Sequence, residues 1–240
     1  MDRLKVAVIG VGYLGRFHAQ KYAAMGDVDL VGVVDVDPER AALVAQEVGT
    51  KAYGALSEIP EAVQAASVAV PTSLHAAVAV PLLEKGISVL LEKPIAADMP
   101  AARAIIQAAQ TGTARLQIGH LERFNPAILN LRERITKPMF IEVHRISPFK
   151  ERGTDVDVIL DLMIHDIDII LSLVDSPIVS VESVGVPVLT SSIDIANARL
   201  RFASGCIANI TASRISADVM RKIRIFQPDA YISIDYAQHA

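Results

Sequence analysis

The feature that most constrains this chain is the run Gly10-Val11-Gly12-Tyr13-Leu14-Gly15 and its surroundings. The three glycines follow an unbroken apolar stretch, Val6 to Ile9, and open a helical pattern that runs from Leu14 to Met25. A second apolar stretch, Leu30 to Val34, ends in Asp35, 20 residues past Gly15. A G-x-G-x-x-G pattern is weak by itself. Between a strand and a helix, with an acid at the end of the next strand, it becomes a dinucleotide-binding fingerprint. Gly10 permits a tight turn and Gly12 leaves room for a pyrophosphate against the backbone. Gly15 allows the helix to pack closely, and the exposed amides at the helix N-terminus favour an anion. Tyr13 and Leu14 lie in the same loop and count as cofactor-binding candidates. Asp35 is suited to accept from ribose hydroxyls and to repel a 2′-phosphate, so NAD is expected and NADP is less favoured.

The same alternation continues for about 120 residues. Asp37, Pro38 and Gly49 carry the cap, first-turn and stop signals of one helix. Ser67 to Val70 and Ile87 to Leu91 read as further strands, Asp98 caps a helix reaching about Gln110, and Leu116 to Ile118 closes the series. Apolar strands that do not alternate are buried on both faces, and helices between them are crossovers. The expectation is a doubly wound parallel sheet over residues 1–120. Pro81 lies inside the helix after His75 and is expected to kink or split it.

After residue 120 the pattern changes. Pro126 to Ile135 reads as a helix, Met139 to Ser147 as a strand, and Asp157 to Val174 as a long apolar helix. Strands then dominate: 178–189, 193–202, 206–215, 220–226 and 231–236, with Ser204-Gly205 as a hairpin turn. Residues 121–240 are expected to form an open-faced, mostly antiparallel sheet with helices on one face. A net charge of −4 and the lack of any Lys/Arg run argue against nucleic-acid or anionic-membrane partners. A single cysteine, Cys206, excludes a disulfide within the chain and suits a reducing compartment. No apolar stretch approaches ~18 residues and the N-terminus lacks a signal-peptide pattern, so a cytoplasmic protein without a membrane span is expected.

Two further groups carry chemistry. Val70-Pro71-Thr72 ends the third main strand, at the sheet edge where open α/β folds bind ligands. Thr72 is read either as a cofactor contact or as a helix cap. His75 is read as a cofactor contact or as a partly buried helix residue. Glu92-Lys93-Pro94 follows a buried strand directly, which puts Lys93 at the same edge, where it can stabilise a developing alkoxide; the alternative is a solvated lysine. Asp161, His165 and Asp168, at i, i+4 and i+7, form a polar stripe on an apolar helix. Histidine is the natural proton acceptor near neutral pH, and a neighbouring carboxylate raises its basicity. A satisfied core ion pair is the alternative. A metal site is not expected, because these carboxylates and one histidine lack further ligands.

Gly10–Gly15, Glu92-Lys93-Pro94 and Asp161-Leu162-Met163-Ile164-His165-Asp166 together resemble the glucose–fructose oxidoreductase, inositol dehydrogenase and MocA (Gfo/Idh/MocA) family, over nearly the whole chain. The resemblance implies an NAD-dependent dehydrogenase acting on a sugar or cyclitol hydroxyl. It implies Glu92, Lys93 and Pro94 beside the cofactor, Lys93 as catalytic, Pro94 as shaping the turn, Asp161 as binding substrate or orienting the histidine, His165 as general base, and Asp166 as holding the helix. Gly119-His120-Leu121-Glu122-Arg123-Phe124-Asn125-Pro126 is similar to the branch that oxidises UDP-N-acetylglucosamine at C3, which makes Arg123 and Asn125 substrate candidates. Arg145, Lys150 and Arg152 are read as ordinary surface charges or as holders of a diphosphate, with Arg152 a further substrate candidate. The same resemblance implies a homodimer or homotetramer through the outer face of the antiparallel sheet, and substrate entry between the two domains. Family members usually run longer, so a C-terminally truncated chain is expected. The rival readings are a cofactor-binding regulator of the same fold and a reductase of a non-sugar substrate.

Overall fold

The computed structural model describes residues 3–149 and 156–235, apart from the side chain of Arg132. Two compact units divide at Gly119/His120. In the first, six strands form one parallel sheet: β1 (Leu4–Ile9), β2 (Val28–Val34), β3 (Ala52–Tyr53), β4 (Ala65–Val68), β5 (Ser88–Leu91) and β6 (Leu116–Ile118). Their order is β3-β2-β1-β4-β5-β6. This is the doubly wound order whose direction reverses between β1 and β4, and such a reversal opens a crevice at the carboxyl ends of the strands. Helices α1 (Tyr13–Ala24), α2 (Pro38–Val48), α3 (His75–Glu84) and α4 (Met99–Thr111) make the crossovers. The unbroken apolar character of β1 follows from this layering. Ala7 and Ile9 enter one core with α3 and α4, while Val8 enters another with Ala19, Val44 and Ala45.

Local signals act as read for α2 and α4. The Asp37 carboxylate accepts from the amides of Glu39 and Arg40, and Gly49 ends the helix in the left-handed region at φ 71°. Asp98 caps α4 by accepting from the Ala101 amide at 2.8 Å. Pro81 does not split its helix. α3 runs through it, preceded by a single 3-10 turn at Thr72–Leu74. Only one intrahelical donor is lost, near the helix end, and the buried Ala79, Leu82 and Leu83 hold both sides of the proline. The third main strand is also displaced: β4 covers Ala65–Val68, not 67–70. The Val70 carbonyl leaves the ladder and lies 3.0 Å from His75 Nε2.

The second unit holds a six-stranded sheet in the order β12-β11-β7-β10-β9-β8. Its strands are β7 (Phe140–Ile146), β8 (Ile178–Val186), β9 (Ile195–Phe202), β10 (Ile207–Ser213), β11 (Met220–Gln227) and β12 (Ala230–Asp235). Every pair is antiparallel except β7 with β10. Gly205, at φ 88°, makes the turn between β9 and β10. Strict alternation on β9 buries Ala196, Ala198, Leu200 and Phe202 on the helix-covered face. Two helical segments cover that face: α5 (Pro126–Arg132), shorter than the 126–135 read from sequence, and the element carrying Asp161 and His165. The latter is not one long α-helix. A π turn at Ile159–Met163 precedes α6 (Ile164–Leu173), and the Ile164 amide donates to the carbonyl of Ile159, five residues back. On the opposite face, Phe140, Phe226 and Tyr231 form an aromatic row with ring centroids 6.0 and 5.0 Å apart.

Candidate active site

The glycine run sits at the carboxyl end of β1, beside the end of β4. Gly10 has φ +80°, and a Cβ there would lie 2.8 Å from Val70 Cγ1 and 2.9 Å from the Ala69 backbone. At Gly15 a Cβ would fall 1.8 Å from the Gly10 carbonyl oxygen. Both glycines are therefore demanded by packing. Gly12 differs: a Cβ there meets nothing within 4 Å. The protein does not require glycine at that position, and the backbone is bare on its outward side. The N-terminus of α1 has no side-chain cap and no acid in its first turn, which suits an external anion. These features fit a dinucleotide pyrophosphate. Tyr13 and Leu14 are exposed in the same turn.

Asp35 is buried at the end of β2 and does more than face a ribose. One carboxylate oxygen accepts from the Val11 amide at 2.9 Å, and the other from the Asp37 amide at 3.0 Å. It thus fastens the glycine loop to β2, and a carboxylate still has lone pairs for ribose hydroxyls. Arg40, not singled out from sequence, lies 3.4 Å from Asp35 and 2.8 Å from Asp37.

Thr72 is half-buried at the start of the 3-10 turn and makes no capping bond there, so the capping alternative falls. The reading of His75 as a cofactor contact is corrected. It is 1% exposed, with Nδ1 2.9 Å from the Pro94 carbonyl and Nε2 3.0 Å from the Val70 carbonyl, so both ring nitrogens are occupied by backbone. Lys93 is half-buried just past β5 and precedes a cis peptide bond to Pro94. Glu92 is buried, and its carboxylate accepts from the Lys93 amide at 3.3 Å. The other Glu92 oxygen lies 2.9 Å from His18 Nε2, a partner that sequence reading missed.

In the second unit, Asp161 lies in the π turn and His165 in the first turn of α6, both half-buried. The supposed single stripe through Asp168 does not hold, because two other acids of α6 are turned to arginines. Asp168 is bound by Arg123, whose Nε donates at 3.0 Å. Asp166 receives two bonds from the buried Arg145, each 2.8 Å. Burial pushes the Asp166 carboxyl up from its ordinary range, and Arg145 opposes that push. The Asp166 pair anchors α6 to β7 from the residue next to His165.

Arg145 is therefore neither a surface charge nor a diphosphate holder: its guanidinium is buried and neutralised within the fold. Arg123 and Asn125 likewise have internal partners. Asn125 caps α5 by accepting from the Ala127 amide at 3.0 Å. Lys150 and Arg152 lie outside the described residues. The entry to the π turn is tied by Asp157, which accepts from the Leu160 amide, and by buried Arg214, which donates to the Val156 carbonyl and to Asp194.

A bare anion-binding helix end, an acid at the second strand and a lysine past the fifth define the cofactor half of a dinucleotide-dependent oxidoreductase. Comparison with known proteins makes this specific. Residues 4–120 match the oxidoreductase family with an NAD-binding Rossmann fold, and residues 101–232 match the GFO/IDH/MocA C-terminal domain. The chain belongs to the Gfo/Idh/MocA family of NAD-binding oxidoreductases. It is 44% identical over 237 residues to UDP-N-acetylglucosamine 3-dehydrogenase of Acidithiobacillus ferrooxidans, an alignment covering 98% of this chain and 75% of that protein. A solved structure of that enzyme superimposes with TM-score 0.93 at 43% identity, covering 100% of this chain and 78% of the other. Inositol 2-dehydrogenase of Leifsonia xyli is 31% identical over 189 residues, covering 75% of this chain and 56% of its own length. No helix among the described residues is long and apolar enough to cross a membrane.

Proposed function

We propose that this chain catalyses the NAD-dependent oxidation of a hydroxyl on a nucleotide-linked amino sugar, with C3 of UDP-N-acetylglucosamine the favoured position. The observation that carries this reading is the 44% identity, over 98% of the chain, to an enzyme named for that reaction. The bare glycine loop and the Lys93 turn on one sheet edge support it. Residues 1–120 act as the cofactor domain and residues 121–240 as the substrate and assembly domain.

Gly10, Gly12, Tyr13, Leu14 and Gly15 hold the pyrophosphate, Asp35 holds the adenosine ribose, and Thr72, Glu92, Lys93 and Pro94 lie toward the nicotinamide end. When bound, NAD supplies the hydride acceptor. Lys93 hydrogen-bonds the sugar hydroxyl and stabilises negative charge growing on its oxygen. His165 takes the hydroxyl proton. Asp161 orients the imidazole or the sugar. Arg145 with Asp166 keeps the first turn of α6 fixed, and Arg123 with Asp168 does the same from the other side. The aromatic row of half-buried Phe140 with exposed Phe226 and Tyr231 supports pairing of two copies through the outer sheet face. The single, buried and unpaired Cys206 is consistent with a cytoplasmic setting.

The test is turnover with NAD, UDP-N-acetylglucosamine and, as a contrast, myo-inositol, followed by absorbance of the reduced cofactor. His165→Ala is expected to lower turnover by roughly 10²–10⁴ with NAD affinity intact. Turnover unchanged in that variant removes His165 from the mechanism. Turnover of myo-inositol alone overturns the substrate class.

A further inference from the structure

Helix α1 carries more than the glycine loop. His18 lies three residues past Gly15, and its ring points into the layer beneath the end of β5. Nδ1 meets the hydroxyl of Ser67 on β4, which is fully buried, and Nε2 lies 2.9 Å from Glu92 Oε1. Tyr22, one turn further along α1, also hydrogen-bonds Ser67, and burial pushes its hydroxyl up from the ordinary phenol range. Glu92 Oε2 accepts from the Lys93 amide. The imidazole nitrogen is thereby set against a buried carboxylate oxygen that has no hydrogen bond of its own among the described residues. Tyr22, Ser67 and His18 are thus linked by hydrogen bonds, and the 2.9 Å contact between His18 and Glu92 joins them to the carboxylate that accepts from the Lys93 amide.

Space is made for it. A Cβ at Gly119 would stand 3.3 Å from the Glu92 carboxyl carbon and one of its oxygens. Beyond Lys93, the buried His75 ring lies between two carbonyls, that of Pro94 at 2.9 Å from Nδ1 and that of Val70 at 3.0 Å from Nε2. The turn bearing Lys93 is held on one side by an imidazole acting through Glu92 and on the other by an imidazole acting on Pro94. A buried carboxylate is costly unless it is hydrogen-bonded. Here it is kept at the one place where its bonds fix the backbone of a lysine.

We infer that His18, acting through Glu92, is a positioning residue for Lys93. It couples the helix that receives the pyrophosphate to the turn that presents the ammonium group. The inference rests on the proposed role of Lys93 in hydride transfer, and its consequences separate from that role. In His18→Leu the ring's volume is largely kept and the polar contact with Glu92 is lost; in His18→Gln an amide faces Glu92 instead. The full chain is assayed with NAD and UDP-N-acetylglucosamine. The amide resonance of Lys93 is followed by NMR in the absence of substrate.

His18→Leu is expected to lower kcat by about 10–100-fold, because small misplacements of a positioned group have that scale of effect. NAD Kd and sugar KM are expected to stay within about threefold, since the glycine loop and the sugar contacts are untouched. The Lys93 amide shifts and exchanges on the order of ten times faster, the scale of one lost hydrogen bond. His18→Gln restores both readouts. In a double-variant cycle, Glu92→Gln adds little to His18→Leu. A His18→Leu protein with unchanged kcat and an unmoved Lys93 amide overturns the inference, even if its melting temperature falls. If the parent chain does not turn over UDP-N-acetylglucosamine, the proposed function fails, and the amide readout alone decides whether His18 holds the Lys93 turn.

Discussion

Gly12 and Gly15 lie three residues apart, and alanine at each should have opposite consequences. At Gly15 the new methyl would sit 1.8 Å from the Gly10 carbonyl oxygen. Relief to ordinary contact at about 3.4 Å needs a displacement of roughly 1.6 Å between α1 and the loop. Overpacking of this kind costs about 1–3 kcal/mol, and alanine returns about 1 kcal/mol through helix propensity. The net loss of stability is about 0–2 kcal/mol. The displaced loop no longer aims its amides at the pyrophosphate. Charge-assisted bonds are worth about 1.5–3 kcal/mol each, so losing one or two weakens NAD binding by at least about tenfold.

At Gly12 the methyl meets no protein atom within 4 Å, and the backbone there is extended, with φ −64° and ψ −156°. Urea denaturation of Gly12→Ala should match the parent within about 0.5 kcal/mol. Calorimetry should show NAD affinity reduced by at least about tenfold, because the methyl occupies the surface that the pyrophosphate needs. A Gly12→Ala protein that binds NAD as tightly as the parent would refute the assignment of this loop.

Two other perturbations test the supports of the second unit. Asp166→Asn leaves buried Arg145 without its bidentate carboxylate and should cost about 3–5 kcal/mol in urea denaturation; a loss under about 1 kcal/mol would mean that Glu122 alone neutralises Arg145. Burial of Asp194 would by itself raise its pKa, but bonds from the Thr190 and Val188 amides, the Thr190 hydroxyl and Arg214 outweigh that and hold it well below the usual carboxylate range. Its folded pKa is depressed, so its contribution is complete above about pH 4, the unfolded value, and is lost as the pH falls further. Denaturation at a series of pH values should show this acid-side loss in the parent and a smaller one in Asp194→Asn, where Asp37 and Glu47 still contribute.

Much of the first unit was legible because its signals are local. The strand–glycine–helix–acid order is confined to residues 6–35, and Asp37, Pro38 and Gly49 act within their own helix. What escaped was non-local. His18 reads as one polar residue on a mixed helix, and only the fold brings it to Glu92, 74 residues away. His75 reads from sequence either as a cofactor contact or as a partly buried helix residue, because nothing in its neighbourhood announces the Pro94 carbonyl. Arg145 and Asp166 are 21 residues apart on a strand and a helix, so a stripe drawn from helical spacing could not say which acids face an arginine. The π turn defeated that spacing as well, since it inserts a residue into the turn that carries Asp161. β3, two residues long, has no pattern to detect; it forms because the Val33 and Asp35 amides reach the carbonyls of Lys51 and Tyr53.

The most direct measurement is transfer of label. The full chain is incubated with NAD and UDP-N-acetylglucosamine carrying deuterium at C3, and the reduced cofactor is recovered for mass spectrometry. Deuterium on the nicotinamide ring is the predicted result. Folded protein that binds NAD yet yields reduced cofactor without deuterium, or no reduced cofactor at all, would contradict it.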